Sequence, residues 1–128
     1  FPNQQTAVIL YSGPFAKQRP DVARRFMKAY LLGVRDYNAA LKDGKLTGPK
    51  GDAVIDLLVK YTTVKDVKVL RAMVPHAVDH NGKPNYASLK NDHDFFLAHK
   101  LIPEKVTVEQ ILDDSFRAAA QKELDSGK

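Results

Sequence analysis

Apolar positions divide the chain into one short run and several helical stripes. Thr6-Ala-Val-Ile-Leu-Tyr11 is continuous, β-branched and apolar, which predicts a strand over residues 6–11. Val22, Phe26, Met27, Tyr30, Leu31, Val34 and Leu41 recur at three- and four-residue steps, so a helix over about 20–42 buries one face. Pro20 and Asp21 suit its first turn, where no N–H is needed and negative charge is favoured. Gly44 is placed to close it in the left-handed conformation.

Shorter stripes follow. Ser12 to Arg19 reads as a turn leading into a short helical step. The stretch from Asp43 to Gly51 holds three glycines and one proline, which predicts an exposed loop. Its glycine spacing is wrong for a phosphate-binding loop. Asp52 then caps a helix over 52–61, with Val54, Ile55, Leu58 and Val59 inward. Thr63 with Asp66 offers a capping box for a helix over 64–74 carrying Val67, Leu70 and Val74. Residues 75–85 are an irregular connection marked by Asn81-Gly82 and Pro84. A helix over 86–100 turns Leu89, Phe96 and Leu97 inward, with His93 between them. Thr107 and Gln110 form a capping box for the last helix, 108–124, whose stripe is Ile111, Leu112, Phe116, Ala119, Ala120 and Leu124.

The expected class is therefore mainly α: about five helices plus one N-terminal strand. The strand is the exception, because nothing later in the chain reads as its partner. A buried strand cannot leave its backbone donors and acceptors unpaired. Either it pairs with the same strand of a second copy, giving a homo-oligomer through residues 6–11, or its sheet lies in sequence outside these 128 residues. The second reading makes the chain a fragment, with roughly 180–200 residues expected upstream, beginning with an export signal.

Composition narrows the chemistry. The chain has no cysteine, so disulfides and thiolate metal sites are excluded. Net charge is +5, and the excess falls in the first half: ten Lys/Arg against five Asp/Glu through Lys60, ten against ten afterwards. A self-contained helical nucleic-acid-binding or protein-interaction domain using the basic helix 20–41 is one reading. A solvated outer face is the simpler one, since Asp21 and Asp36 interrupt the basic residues. His76 and His80 are four apart beside Asp79, and Asp92-His93-Asp94 with His99 adds further donors. The first pair sits in loop sequence, so spacing gives it no shared face. No metal site and no cofactor is expected. Asp113-Asp114 are adjacent, point about 100° apart on a helix, and are expected to face solvent. No elbow, zinc or dinucleotide motif is present, and no enzyme is expected.

The order of signals also resembles one family. It is carried by Tyr11-Ser-Gly-Pro-Phe15, by Arg19-Pro-Asp-Val-Ala-Arg-Arg-Phe-Met-Lys-Ala-Tyr-Leu-Leu-Gly-Val-Arg-Asp-Tyr37, by Val54-Ile-Asp-Leu-Leu58, and by Leu101-Ile102 before the capped stretch 108–124. These resemble the substrate-binding proteins of bacterial ABC importers that capture nitrate, taurine, aliphatic sulfonates or thiamine-precursor pyrimidines. The resemblance implies that residues 1–128 form a single segment, the C-terminal third of a two-lobed α/β periplasmic-binding-protein fold, with strand 6–11 returning to a sheet built mostly from the missing N-terminal part. It implies capture of a small anionic or heteroaromatic solute, hinge closure around it, and delivery to an ABC permease. Periplasmic or lipid-anchored extracellular placement follows from the resemblance alone. Tyr11 and Ser12, at the end of the returning strand, are the candidate ligand-binding residues. Tyr11 has a ring to stack and a hydroxyl to donate, and Ser12 a hydroxyl for an anion. Their plainer roles are core packing and turn initiation.

Overall fold

Helices supply the regular structure of the computed structural model, which describes residues 3–127; among them are seven helices and no strand. By contact, the chain divides into two units. One holds the residues up to Met27 together with those from Lys83 onward, and the other is Lys28–Gly82.

In the first unit, α1 spans Gly13–Gln18. Ser12 caps it: its backbone is extended and its Oγ accepts from the N–H of Phe15 at 3.3 Å. Arg19 both ends α1 and opens the next helix. Its N–H donates to the Phe15 carbonyl (2.9 Å), and its own carbonyl accepts from Ala23 (3.0 Å). The helix that follows, α2, is Pro20–Ala40, starting at the proline as the sequence predicts. Its buried stripe is Ala23, Met27, Leu31 and Val34; Phe26, expected inward, is 51% exposed. The stripe is narrower than the pattern suggested because small Ala23, not Phe26, takes the innermost position.

In the second unit, α2 ends at Ala40, two residues short of expectation, and Gly44 does not cap it. Lys42 and Lys45 exchange backbone hydrogen bonds of 2.9 and 3.0 Å around Asp43 and Gly44, whose φ values are 52° and 72°. Positive φ at both central residues is the Asp-Gly hairpin-turn pattern. The chain then doubles back, and the N–H of Gly48 donates to the Ala40 carbonyl at 2.8 Å, satisfying a helix-end acceptor from outside the helix. The loop is not wholly exposed as expected: Leu46 is fully buried. It joins Ala40, Val54, Ile55 and Leu70 in the core of this unit, bordered by Tyr37, Leu41, Leu58 and Val59. Here α3 is Gly51–Tyr61 and α4 is Val67–Ala72, shorter than the expected 64–74. Thr63 does not cap α4. Asp66 does, accepting from the N–H of Lys68 at 2.7 Å. Starting after Asp66 leaves Val64 in the connection, and of the predicted stripe only Leu70 is buried.

The remaining helices belong to the first unit. Asn85 caps α5, Tyr86–Ala98, through a 3.2 Å bond from the N–H of Ser88. The helix closes before Lys100 because that residue adopts φ 56°, and the Leu101 N–H reaches back to the Phe96 carbonyl (2.8 Å). The end falls two residues short of the expected Lys100, and ahead of Pro103, the breaker that the sequence predicts. No residue of α5 is fully buried. The expected single helix 108–124 is broken into α6, Val108–Ile111, and α7, Ser115–Asp125. The predicted capping box of Thr107 and Gln110 is present, with Gln110 Oε1 accepting from the Thr107 N–H at 3.0 Å. Leu112 is extended, and Asp113 Oδ1 takes the Ser115 N–H at 2.9 Å. A side-chain acceptor at Asp113 offers the backbone an alternative to continuing the helix.

The predicted strand 6–11 is not formed. The isolated bridge among the described residues is Lys42 with Lys45, and residues 6–11 join no ladder. β-branched, apolar sequence suits a pleated surface with a neighbour; without the neighbour it defines no strand.

Candidate functional site

Tyr11 sits where the irregular segment meets α1, α2 and α7. Its hydroxyl donates to the Ala23 carbonyl at 2.8 Å, spanning from the segment to the first turns of α2. Its ring meets Phe15, Phe26 and Phe116 edge-on, at centroid distances of 5.3, 6.1 and 5.4 Å. Edge-to-face pairs of this kind each add about 0.5–1.5 kcal/mol beyond area burial. Burial pushes the Tyr11 hydroxyl above its ordinary 10.0, so it stays protonated and donating at neutral pH. Ser12 is spent as the cap of α1. Both polar groups are thus engaged within the chain.

A shallow groove of about 470 Å³ lies beside this cluster, lined by Pro20, Asp21, Arg24, Ser115, Phe116 and Ala119. Phe116 belongs to both. Neither Tyr11 nor Ser12 lines the groove. Its charged rim is already neutralised: Arg24 pairs with Glu123 at 2.6 Å and Asp21 with Arg25 at 3.2 Å. The groove therefore offers an apolar floor and little net field.

The histidines make structural bonds. Nε2 of His93 donates to the Val106 carbonyl at 2.7 Å, tying α5 to the segment before α6. His99 donates from Nδ1 to the Phe95 carbonyl (2.9 Å) and stacks on the Phe95 ring at 4.1 Å. A carbonyl only accepts, so each of these nitrogens carries a proton. His76 and His80 are exposed in the connection after α4, and the side chain of Asp79 accepts from the Asn81 N–H (2.9 Å). Among the described residues, no three His, Cys, Asp or Glu converge. Asp94 is held below its ordinary 3.8 chiefly by its hydrogen bond from Lys90, and it faces water.

Asp113 and Asp114 precede α7 instead of lying along a helix. Asp113 is exposed, as expected. Asp114 is not simply a solvent carboxylate. It accepts from Nε and, at 2.7 Å, from Nη2 of Arg117, whose residue is only 8% exposed and whose Nη1 reaches Gln121. A buried guanidinium requires such partners. Sequence periodicity missed Arg117 because a charged residue beside an apolar stripe reads as solvated.

On helix α2, Arg24 pairs with Glu123, Arg25 with Asp21 of the same helix, and Asp36 with Lys50. No helix among the described residues is long and apolar enough to cross a membrane. No family model matches the chain, and comparison with curated proteins and with solved structures found no match.

Proposed function

We propose that the chain is the C-terminal portion of a solute-binding protein serving an ABC-type importer. It captures a small anionic or heteroaromatic solute, such as a sulfonate, nitrate or pyrimidine precursor, and passes it to a membrane permease. The observation that carries this reading is the state of residues 6–11. Val8, Ile9 and Leu10 are 59%, 42% and 87% exposed, and among the described residues no backbone N–H of the segment donates to another backbone group. Three consecutive exposed apolar residues are what a strand presents when its sheet is supplied by other sequence. The half-exposed rings of Phe95 and Phe96 on α5 fit the same deficit in the first unit.

In this reading the segment completes a sheet at the hinge between two lobes, and closure around the solute is the working motion. Tyr11, fixed by its bond to Ala23, would anchor the segment near that hinge. No step of bond making or breaking is involved. The reading is tested by calorimetric titration of sulfonates, nitrate and pyrimidines into the protein extended by its upstream region. Saturable binding of one solute class supports it. A reading frame that starts at or just before Phe1, or an extended protein that binds none of them, overturns it.

The nucleic-acid reading of the basic helix has less to stand on. Two of its arginines are already partnered by carboxylates, and counterion release requires cations free to meet phosphates.

A further inference from the structure

We infer that residues 6–10 are a self-complementary edge, and that two copies of the 128-residue chain associate by pairing this segment antiparallel with its own copy. Four observations lead there. The segment is held at both ends. Gln5 donates its N–H to Ser88 Oγ at 2.9 Å and accepts from the Asn85 N–H at 2.8 Å, while Tyr11 is tied to Ala23. Among the described residues, no backbone group accepts from its N–H groups. Its middle, Val8 to Leu10, is exposed. Finally, residues 3–16 carry no charged side chain, so two copies meet there without repulsion despite the net charge of +5.

Apart from the Ala7 carbonyl, which accepts from Gln5 Nε2 at 2.6 Å, this row of N–H and C=O groups selects its occupant by chemistry: another extended chain. Natural edges block such pairing with lysine, proline, a bulge or a covering element. None of the blocking residues is present in Thr6-Ala-Val-Ile-Leu10. The two-fold register that leaves Tyr11 in its own unit is centred on Val8. It sets Val8 against Val8, Thr6 against Leu10 and Ala7 against Ile9 across the pair. Every pair is apolar or has one threonine, which favours cross-strand contact. Tethering at both ends lowers the ordering cost of pairing. The interface is isologous, so each pairing joins two copies through the same patch.

This inference does not need the solute-capture reading, since it rests on the edge itself. Sedimentation of the 128-residue chain over a range of concentrations tests it. Val8→Lys and Val8→Glu place like charges face to face at the centre, while an equimolar mixture places opposite charges there. Val8 is exposed, so helix content by far-ultraviolet circular dichroism should match in all three proteins. The expected result is a mass rising to twice 14.3 kDa for the unsubstituted chain, 14.3 kDa for each variant alone, and a restored doubling for the mixture. A single-copy mass for the unsubstituted chain at every concentration overturns the inference. So does a doubling that survives both substitutions, or a mixture that stays single.

Discussion

The carboxylate of Asp66 accepts from the Lys68 N–H at 2.7 Å, while the hydroxyl of Thr62, not Thr63, takes the Val64 N–H at 3.3 Å. A cap removed leaves a helix donor unpaired, so Asp66→Ala should cost about 1 kcal/mol in urea denaturation. Thr63→Ala should cost almost nothing by the same measurement. Asp113 offers a second test at this scale. Hydrogen bonds from Ser115, first from its side chain and then from its backbone N–H, hold the Asp113 carboxyl below its ordinary 3.8. A depressed folded value means stability that is complete above the unfolded pKa and lost as pH falls through the folded one. Asp113→Asn should therefore flatten the fall in stability below about pH 4, seen in thermal melts run from pH 6 down to 2. The two aspartates differ here because Asp114 is taken by Arg117 three residues on, a pairing at helical spacing that the sequence expectation of a solvent-facing Asp114 passed over.

Helix starts with a strong local signal were legible, while ends set by a returning loop, an unexpected left-handed residue or a competing side chain were not. Pro20 and Asp21 start α2 by their own chemistry. The end of α2 depends on Gly48, eight residues beyond Ala40, reaching back to its carbonyl. Lys100 ends α5 in a left-handed conformation that sequence assigns to glycine first. The break between α6 and α7 comes from Asp113 competing for the Ser115 N–H, within a stretch whose apolar period runs on unbroken. The return loop is the most exacting element. A Cβ on Gly51 would lie 2.6 Å from the Leu46 carbonyl oxygen, a backbone atom that cannot swing aside. Gly51→Ala should destabilise the protein by about 1–3 kcal/mol. Gly33→Ala, inside α2 with nothing within 4 Å of the added carbon, should stabilise it by up to about 1 kcal/mol. Urea midpoints for the two variants, moving in opposite directions, check both.

Across the whole molecule, a mainly helical chain was legible, and so was the oddity of residues 6–11. The sequence expectation treated that segment as a strand, and alone it forms none. β-sequence needs a neighbour to become β-structure, and the neighbour is not among the described residues. Tyr11 and Ser12 were singled out by their place at the end of that segment. Their engagement by Ala23 and Phe15 depends on packing that spacing does not reveal. The placement of charge gives a further expectation at this scale. With Arg24 and Arg25 partnered, duplex DNA titrated at about 150 mM salt should show no saturable binding tighter than the non-specific range of about 10⁻⁴–10⁻⁶ M. Fluorescence anisotropy of a labelled duplex reads this directly.

The most direct measurement is amide hydrogen exchange at residues 6–11, made once on the 128-residue chain at high dilution and once on the protein extended upstream. Exchange reports whether each N–H is held in a ladder. A missing sheet predicts near-unprotected exchange in the dilute chain and strong protection of Val8, Ile9 and Leu10 in the longer protein. Equal exchange in both, whether fast or slow, would contradict the account.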